Sequence, residues 1–210
     1  VLLLVLFGLV MVFSASAVMA KSQFGSPYFF MVRQSIWAGF GMIALIVLMR
    51  IDYRHYNNPK VVFPAIAVTM VLLAGVFASR DSHNTHRWFR FGGGLSFQPS
   101  ELATPVIVLF LAYFLQTRMH KMDDWRGTVL RAALPPLLFI GLVLMEPDLG
   151  TAMVCAATTV LMLYLAGLQV RYIGIALACS TPVLYYMLFR VPWRRARMLA
   201  FVNPEADPRG

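Results

Sequence analysis

Apolar residues in this chain come in long blocks, not in alternation with polar ones. Seven blocks stand out, at about 1–20, 32–49, 61–78, 101–116, 132–147, 150–168 and 172–190. Each approaches the roughly 20 apolar residues that a helix needs to cross a hydrocarbon core about 30 Å thick. Lipid offers the backbone no hydrogen-bond partners, so such blocks predict helices, whose N–H and C=O groups satisfy one another. The pattern predicts an all-α fold, a polytopic integral membrane helical bundle with about seven transmembrane helices. No soluble domain, low-complexity linker or repeat interrupts it, so residues 1–210 read as a single membrane domain.

Composition agrees, because 60% hydrophobic and 13% charged residues exclude an ordinary water-soluble domain. The first block, VLLLVLFGLVMVFSASAVMA, ends in small residues of the kind that precede signal-peptide cleavage. It lacks a basic leading region, and six more apolar blocks follow, so it reads as a retained helix. Cys155 and Cys179 lie inside apolar blocks without the spacing of a zinc or redox motif, and both read as small hydrophobes.

Charge leaves orientation open and points to a ligand. The links after the second, fourth and sixth blocks hold eight Lys and Arg residues and the opposite side holds ten, so counting cations decides nothing. The distribution is more telling. Arg50, Arg54 and Lys60 are spread through a short turn, as cytoplasmic anchors are, whereas loops 79–100 and 191–210 cluster arginines with Trp, Gly, Pro and carboxylates. Those two loops are expected outside the membrane, closing around one cavity. Guanidinium groups kept there against the insertion rule suit an anionic ligand, and a diphosphate is the natural candidate because it can be held bidentately. Binding to anionic lipid headgroups is the plainer alternative for any one of these arginines.

Three short motifs carry the candidate chemistry. In HRWFRFGGGLSFQPSELA, Gly92, Gly93 and Gly94 permit a tight turn, Ser100 is expected to cap the fourth helix, and Glu101 falls in its first turn. Glu101 could complement the helix dipole or meet a ligand, and Trp88 could be an interfacial anchor or line a site. His83 and His86 have no further ligand nearby that would make a metal site. EPDLGTA, from Glu146 to Ala152, predicts a tight hairpin between the fifth and sixth helices. Carboxylates at a membrane edge are functional candidates, while Asp148 could equally be a helix cap. The third motif is the charged tail, RRARMLAFVNPEADPRG, from Arg194 to Gly210.

Taken in order, GLVMVFSASAVMA, RQSIWAGFGMIALIVLMRIDYR, HRWFRFGGGLSFQPSELA, EPDLGTA and RRARMLAFVNPEADPRG resemble the SEDS family (shape, elongation, division and sporulation), the family of FtsW and RodA. The opening and the tail are closer to its division-type, FtsW-like members than to the elongation type, RodA. Members have about ten membrane helices, so the resemblance implies that this chain is the N-terminal part, ending within the large extracytoplasmic loop after the seventh helix, and that its activity alone is doubtful. It further implies a peptidoglycan glycosyltransferase of the bacterial cytoplasmic (inner) membrane that polymerises lipid II into glycan strands on the outer face. The implied partners are undecaprenyl-diphosphate-linked glycan, a class B penicillin-binding protein and other division proteins, with no nucleic acid. A divalent cation, magnesium or manganese, is implied, and no organic cofactor.

By the same resemblance Asp207 matches the essential loop aspartate, as general base or as metal ligand, and Glu205 is its local rival. Arg194, Arg195 and Arg197 are candidates for the diphosphate; Arg87, Trp88 and Glu101 match positions lining the central cavity, and Asp148 joins them as a candidate substrate contact. Thr104 departs from the pattern, since members commonly have lysine there. A lipid II flippase, an elongation-type polymerase and a scaffold that only recruits the penicillin-binding protein are the alternatives. A flippase requires polar groups along a path through the bilayer, yet Glu101, Glu146 and Asp148 gather at block ends.

Overall fold

The computed structural model describes residues 1–77, 88–91, 95–118, 124–146 and 148–190. Seven helices occupy them: α1 (Leu2–Phe24), α2 (Phe29–Arg50), α3 (Pro59–Val76), α4 (Ser100–Gln116), α5 (Leu130–Met145), α6 (Leu149–Leu165) and α7 (Val170–Phe189). Every apolar block is a helix, and the chain is a multi-pass, all-α membrane protein. Five helices are long and apolar enough to span a bilayer, α5 counted with the π turn Trp125–Val129 before it. The other two, α4 and α6, have 17 residues each, a length of about 26 Å. Both are short against a core of about 30 Å.

The chain divides into two compact units, Val1–His55 and Tyr56–Gly210. In the first, α1 and α2 form a helical hairpin. The turn is set by Gly25, whose φ of 73° is the left-handed conformation that glycine adopts without penalty. Its N–H returns to the Lys21 carbonyl at 3.1 Å. Around the turn Phe24 stacks on Phe29 at 4.1 Å and Phe13 on Tyr28 at 5.3 Å. Apart from Ala20, no residue of these two helices is buried.

The second unit is built around α4, which packs against α3, α5 and α6. The buried residues recur at helical spacing on each partner. They are Ala103, Ile107, Phe110, Leu111 and Leu115 on α4, Ala132, Pro136, Phe139 and Val143 on α5, and Ala152, Cys155, Thr159 and Leu163 on α6. Pro64, Pro105, Pro135 and Pro136 sit near the starts of their helices, and Pro182 lies within α7. Bilayer helices tolerate such prolines where neighbouring groups satisfy the freed carbonyls.

Two caps mark helix starts. Asn58 Oδ1 accepts from Lys60 N at 2.9 Å ahead of α3, and Asp148 does the same for α6. The helix α6 closes on Gly167, at φ 101°, with Leu168 N–H reaching back to the Leu163 carbonyl at 3.0 Å.

The all-α reading acquires one small addition. Strands β1 (Phe89–Phe91) and β2 (Leu95–Phe97) pair antiparallel, with Phe89 opposite Phe97. The hairpin is seated on α3 near its end, where a Cβ built on Gly75 would lie 3.5 Å from the Phe89 ring. That distance is ordinary van der Waals contact, so Gly75→Ala should leave the melting temperature of the purified protein nearly unchanged. Gly75→Leu should lower it by an amount equivalent to the roughly 1–3 kcal/mol typical of overpacking. Equal melting temperatures for the two variants would show that the hairpin does not rest on α3.

Candidate functional site

Polar side chains of the second unit collect where α4 and α6 begin. The link between α5 and α6 is three residues long, because Glu146 N–H returns to the Leu142 carbonyl (3.1 Å) and Asp148 N–H to that of Val143 (3.3 Å). This folding back leaves Glu146 fully buried, at 0% exposure. A carboxylate so placed must be satisfied by hydrogen bonds or a counter-charge instead of water. Asp148, half-buried, accepts three hydrogen bonds: from Thr151 N (3.2 Å), from Thr151 Oγ1 (3.0 Å) and from Gln98 Nε2 (3.0 Å). The first two cap α6, as one of the alternatives for this aspartate anticipated. The third crosses fifty residues of sequence.

Gln98 is buried and joins β2 to α4. Its Nε2 also donates to Ser100 Oγ at 2.8 Å. Ser100 therefore does not cap α4 as expected. Pro99 occupies the N-cap position without a side-chain bond, and Ser100 is the first residue of the helix, fully buried, its hydroxyl oxygen taken by the Gln98 amide. Glu101 lies in the first turn as expected, exposed, with its N–H on the Gln98 carbonyl at 3.2 Å. Trp88, 36% exposed, stands at the start of the hairpin. One turn into α4, Thr104 Oγ1 meets Cys155 Sγ of α6 at 3.3 Å. A hydroxyl here joins the two helices and carries no charge.

Of the candidates named from sequence, Trp88, Glu101 and Asp148 are thus described, and the start of α4 and the α5–α6 link are brought together through Gln98. Arg87, Arg194, Arg195, Arg197 and Asp207 lie outside the described residues, as do Glu205, His83, His86 and Gly92–Gly94. So does the expected closure of loops 79–100 and 191–210 around one cavity. Among the described residues no three of His, Cys, Asp or Glu stand together to hold a metal ion.

Gln98, Thr151 and the buried state of Glu146 were not singled out from sequence as parts of a site. A signal for the first was present: an amide between Phe97 and Pro99 at a membrane edge, with a serine two residues on. A buried amide needs partners.

Comparison with known proteins closes the question of family. The model of the FtsW/RodA/SpoVE family, described as cell cycle protein, matches residues 1–210. A protein of Geobacter metallireducens named probable peptidoglycan glycosyltransferase FtsW is 36% identical over 205 residues, 96% of this chain and 54% of its own length. Stage V sporulation protein E of Bacillus subtilis is 32% identical over 213 residues, 100% of this chain and 57% of its own. This chain therefore spans about half the length of these relatives. Among solved structures, a chain from work on the structural coordination of polymerization and crosslinking by a peptidoglycan synthase complex aligns with TM-score 0.69 and 28% identity. The alignment covers 96% of this chain and 60% of that one. The rod shape determining protein RodA of Thermus thermophilus shares the fold, with TM-score 0.60 and 24% identity over 85% of this chain and 58% of that one. Seven apolar helices, the FQPSE start of α4, the EPDLGT link and a match along all 210 residues have one consequence: the chain belongs to the FtsW/RodA/SpoVE family.

Proposed function

We propose that the protein containing this chain polymerises lipid II into glycan strands at the outer face of the bacterial inner membrane, as a peptidoglycan glycosyltransferase of septal wall synthesis. The observation that carries this reading is the match of all 210 residues to the family, together with relatives named peptidoglycan glycosyltransferase FtsW. In the reaction a sugar hydroxyl on one lipid-linked disaccharide attacks the anomeric carbon of another and expels undecaprenyl diphosphate. The hydroxyl is a poor nucleophile until a base takes its proton, and the leaving diphosphate needs positive charge beside it. Asp207 is assigned to the first task, as base or as metal ligand. Arg194, Arg195, Arg197 and Arg87 are assigned to the second, with Trp88 and Glu101 along the substrate.

A divalent cation enters this proposal through Asp207 alone. Among the described residues no group of three His, Cys, Asp or Glu fits one. A class B penicillin-binding protein is the proposed partner, in keeping with the peptidoglycan synthase complex among the structural relatives. The flippase alternative is less well supported. Among the described residues, buried polar side chains within the helices are the hydroxyls of Thr69 and Thr159, while Gln98, Ser100, Glu146 and Thr128, in the π turn before α5, lie at helix ends. A translocation path calls for polar groups throughout.

Asp207→Asn tests the assignment directly, since it keeps size and hydrogen bonding and removes charge and basicity. In the full-length protein, at matched levels and with the penicillin-binding partner still bound, polymerisation of labelled lipid II should fall by about 10²–10⁴-fold or more. A turn-forming aspartate would tolerate asparagine, and activity within about threefold of the unchanged protein would take Asp207 out of the mechanism in favour of Glu205. The arginines are tested by comparison. Arg197→Glu should reduce lipid II use more than Arg126→Glu does, and equal effects would make the outward arginines ordinary membrane anchors.

A further inference from the structure

Gln98 stands at the junction of three elements. It follows β2, it precedes α4, and its side chain reaches the α5–α6 link. A carboxylate can only accept, so the amide nitrogen must be the atom facing Asp148, and its two hydrogens are both spent, one on Asp148 Oδ2 and one on Ser100 Oγ. The hairpin before it is therefore fastened at two points. Phe89 rests against Gly75 of α3, and Gln98, one residue after Phe97 whose partner in the ladder is Phe89, ties the other strand to α6. Trp88 lies at one end of this fastened segment and Glu101 at the other.

Asp148, for its part, accepts from two donors of its own helix and one from across the bundle. Three of the roughly four acceptor positions of a carboxylate are thus engaged within the protein. That is the arrangement of a strut between elements, and it leaves little of the group for a sugar or a metal ion.

Resting on the function proposed above, we propose that Gln98 is a positioning residue for that reaction. Its amide holds Trp88 and Glu101 in register with the start of α6, and Asp148 serves as its anchor and not as a substrate ligand.

A reciprocal exchange tests this in the full-length protein bound to its penicillin-binding partner, with labelled lipid II as the probe. Gln98→Glu sets two carboxylates against each other. Adding Asp148→Asn restores the pair in reverse: the asparagine Nδ2 donates to the new carboxylate and to the Thr151 hydroxyl, which turns to accept, its Oδ1 still accepts from Thr151 N, and the Ser100 hydroxyl turns to donate. Gln98→Glu alone should lower kcat/KM by roughly tenfold or more, and the double variant should return to within about threefold of the unchanged protein, the non-additivity expected of contacting residues. Hydrogen exchange at the amides of 89–91 and 95–97 should quicken in Gln98→Glu and slow again in the double variant.

A double variant no better than Gln98→Glu alone, or exchange at the hairpin that ignores both variants, would overturn the proposal. Restored exchange without restored turnover would overturn it too, by showing that the Asp148 carboxylate is needed by the substrate itself. If the unchanged protein forms no polymer, the proposed function fails, and the exchange measurements still decide the clamp.

Discussion

A bilayer gives a polar group nothing to bond to, and the second unit of this chain is arranged around that fact. Glu101, Glu146, Asp148, Gln98 and the buried Ser100 all lie at the ends of α4, α5 and α6. The hydrogen bond from Gln98 to Asp148 is the most consequential contact among them. It joins the residue that follows the hairpin to the start of α6, while Phe89 against Gly75 seats the other strand on α3. Without it the start of α4 would be joined to α6 in this region by the Thr104–Cys155 contact and by apolar packing. Neither of these sets the direction of a loop.

The shortness of α4 and α6 belongs to the same logic. With 17 residues each, they are shorter than a full span requires. The α5–α6 link leads into one of them and Gln98 and Pro99 lead into the other. Non-helical backbone beside a bilayer is tolerable where it is enclosed by protein. Here the enclosure is visible in the burial of Gln98, Ser100 and Glu146.

Much of this was legible from the sequence, for physical reasons. The seven blocks could be read because a bilayer demands unbroken apolar runs, and their edges moved only where local chemistry intervened. The first helix continues through Lys21 and Gln23 until Gly25 turns it, and the third begins at Pro59 because Asn58 caps it. Asp148 as a cap was likewise among the readings, since the signal for a cap is local. The Gln98–Asp148 bond was not, because nothing near either residue announces a partner fifty positions away. Ser100 was misplaced by one position for a related reason: its hydroxyl answers to Gln98 and not to the helix it begins. The two short strands escaped notice because FRF and LSF are too brief to show alternation beside a glycine run.

The central claim is that this arrangement serves chemistry on lipid II at one face of the membrane. The most direct measurement supplies purified full-length protein and its penicillin-binding partner with labelled lipid II and a divalent cation, and sizes the products. The account predicts long glycan strands, made without any other polymerase present. Lipid II left unpolymerised, whether untouched or merely moved across the bilayer, would contradict it.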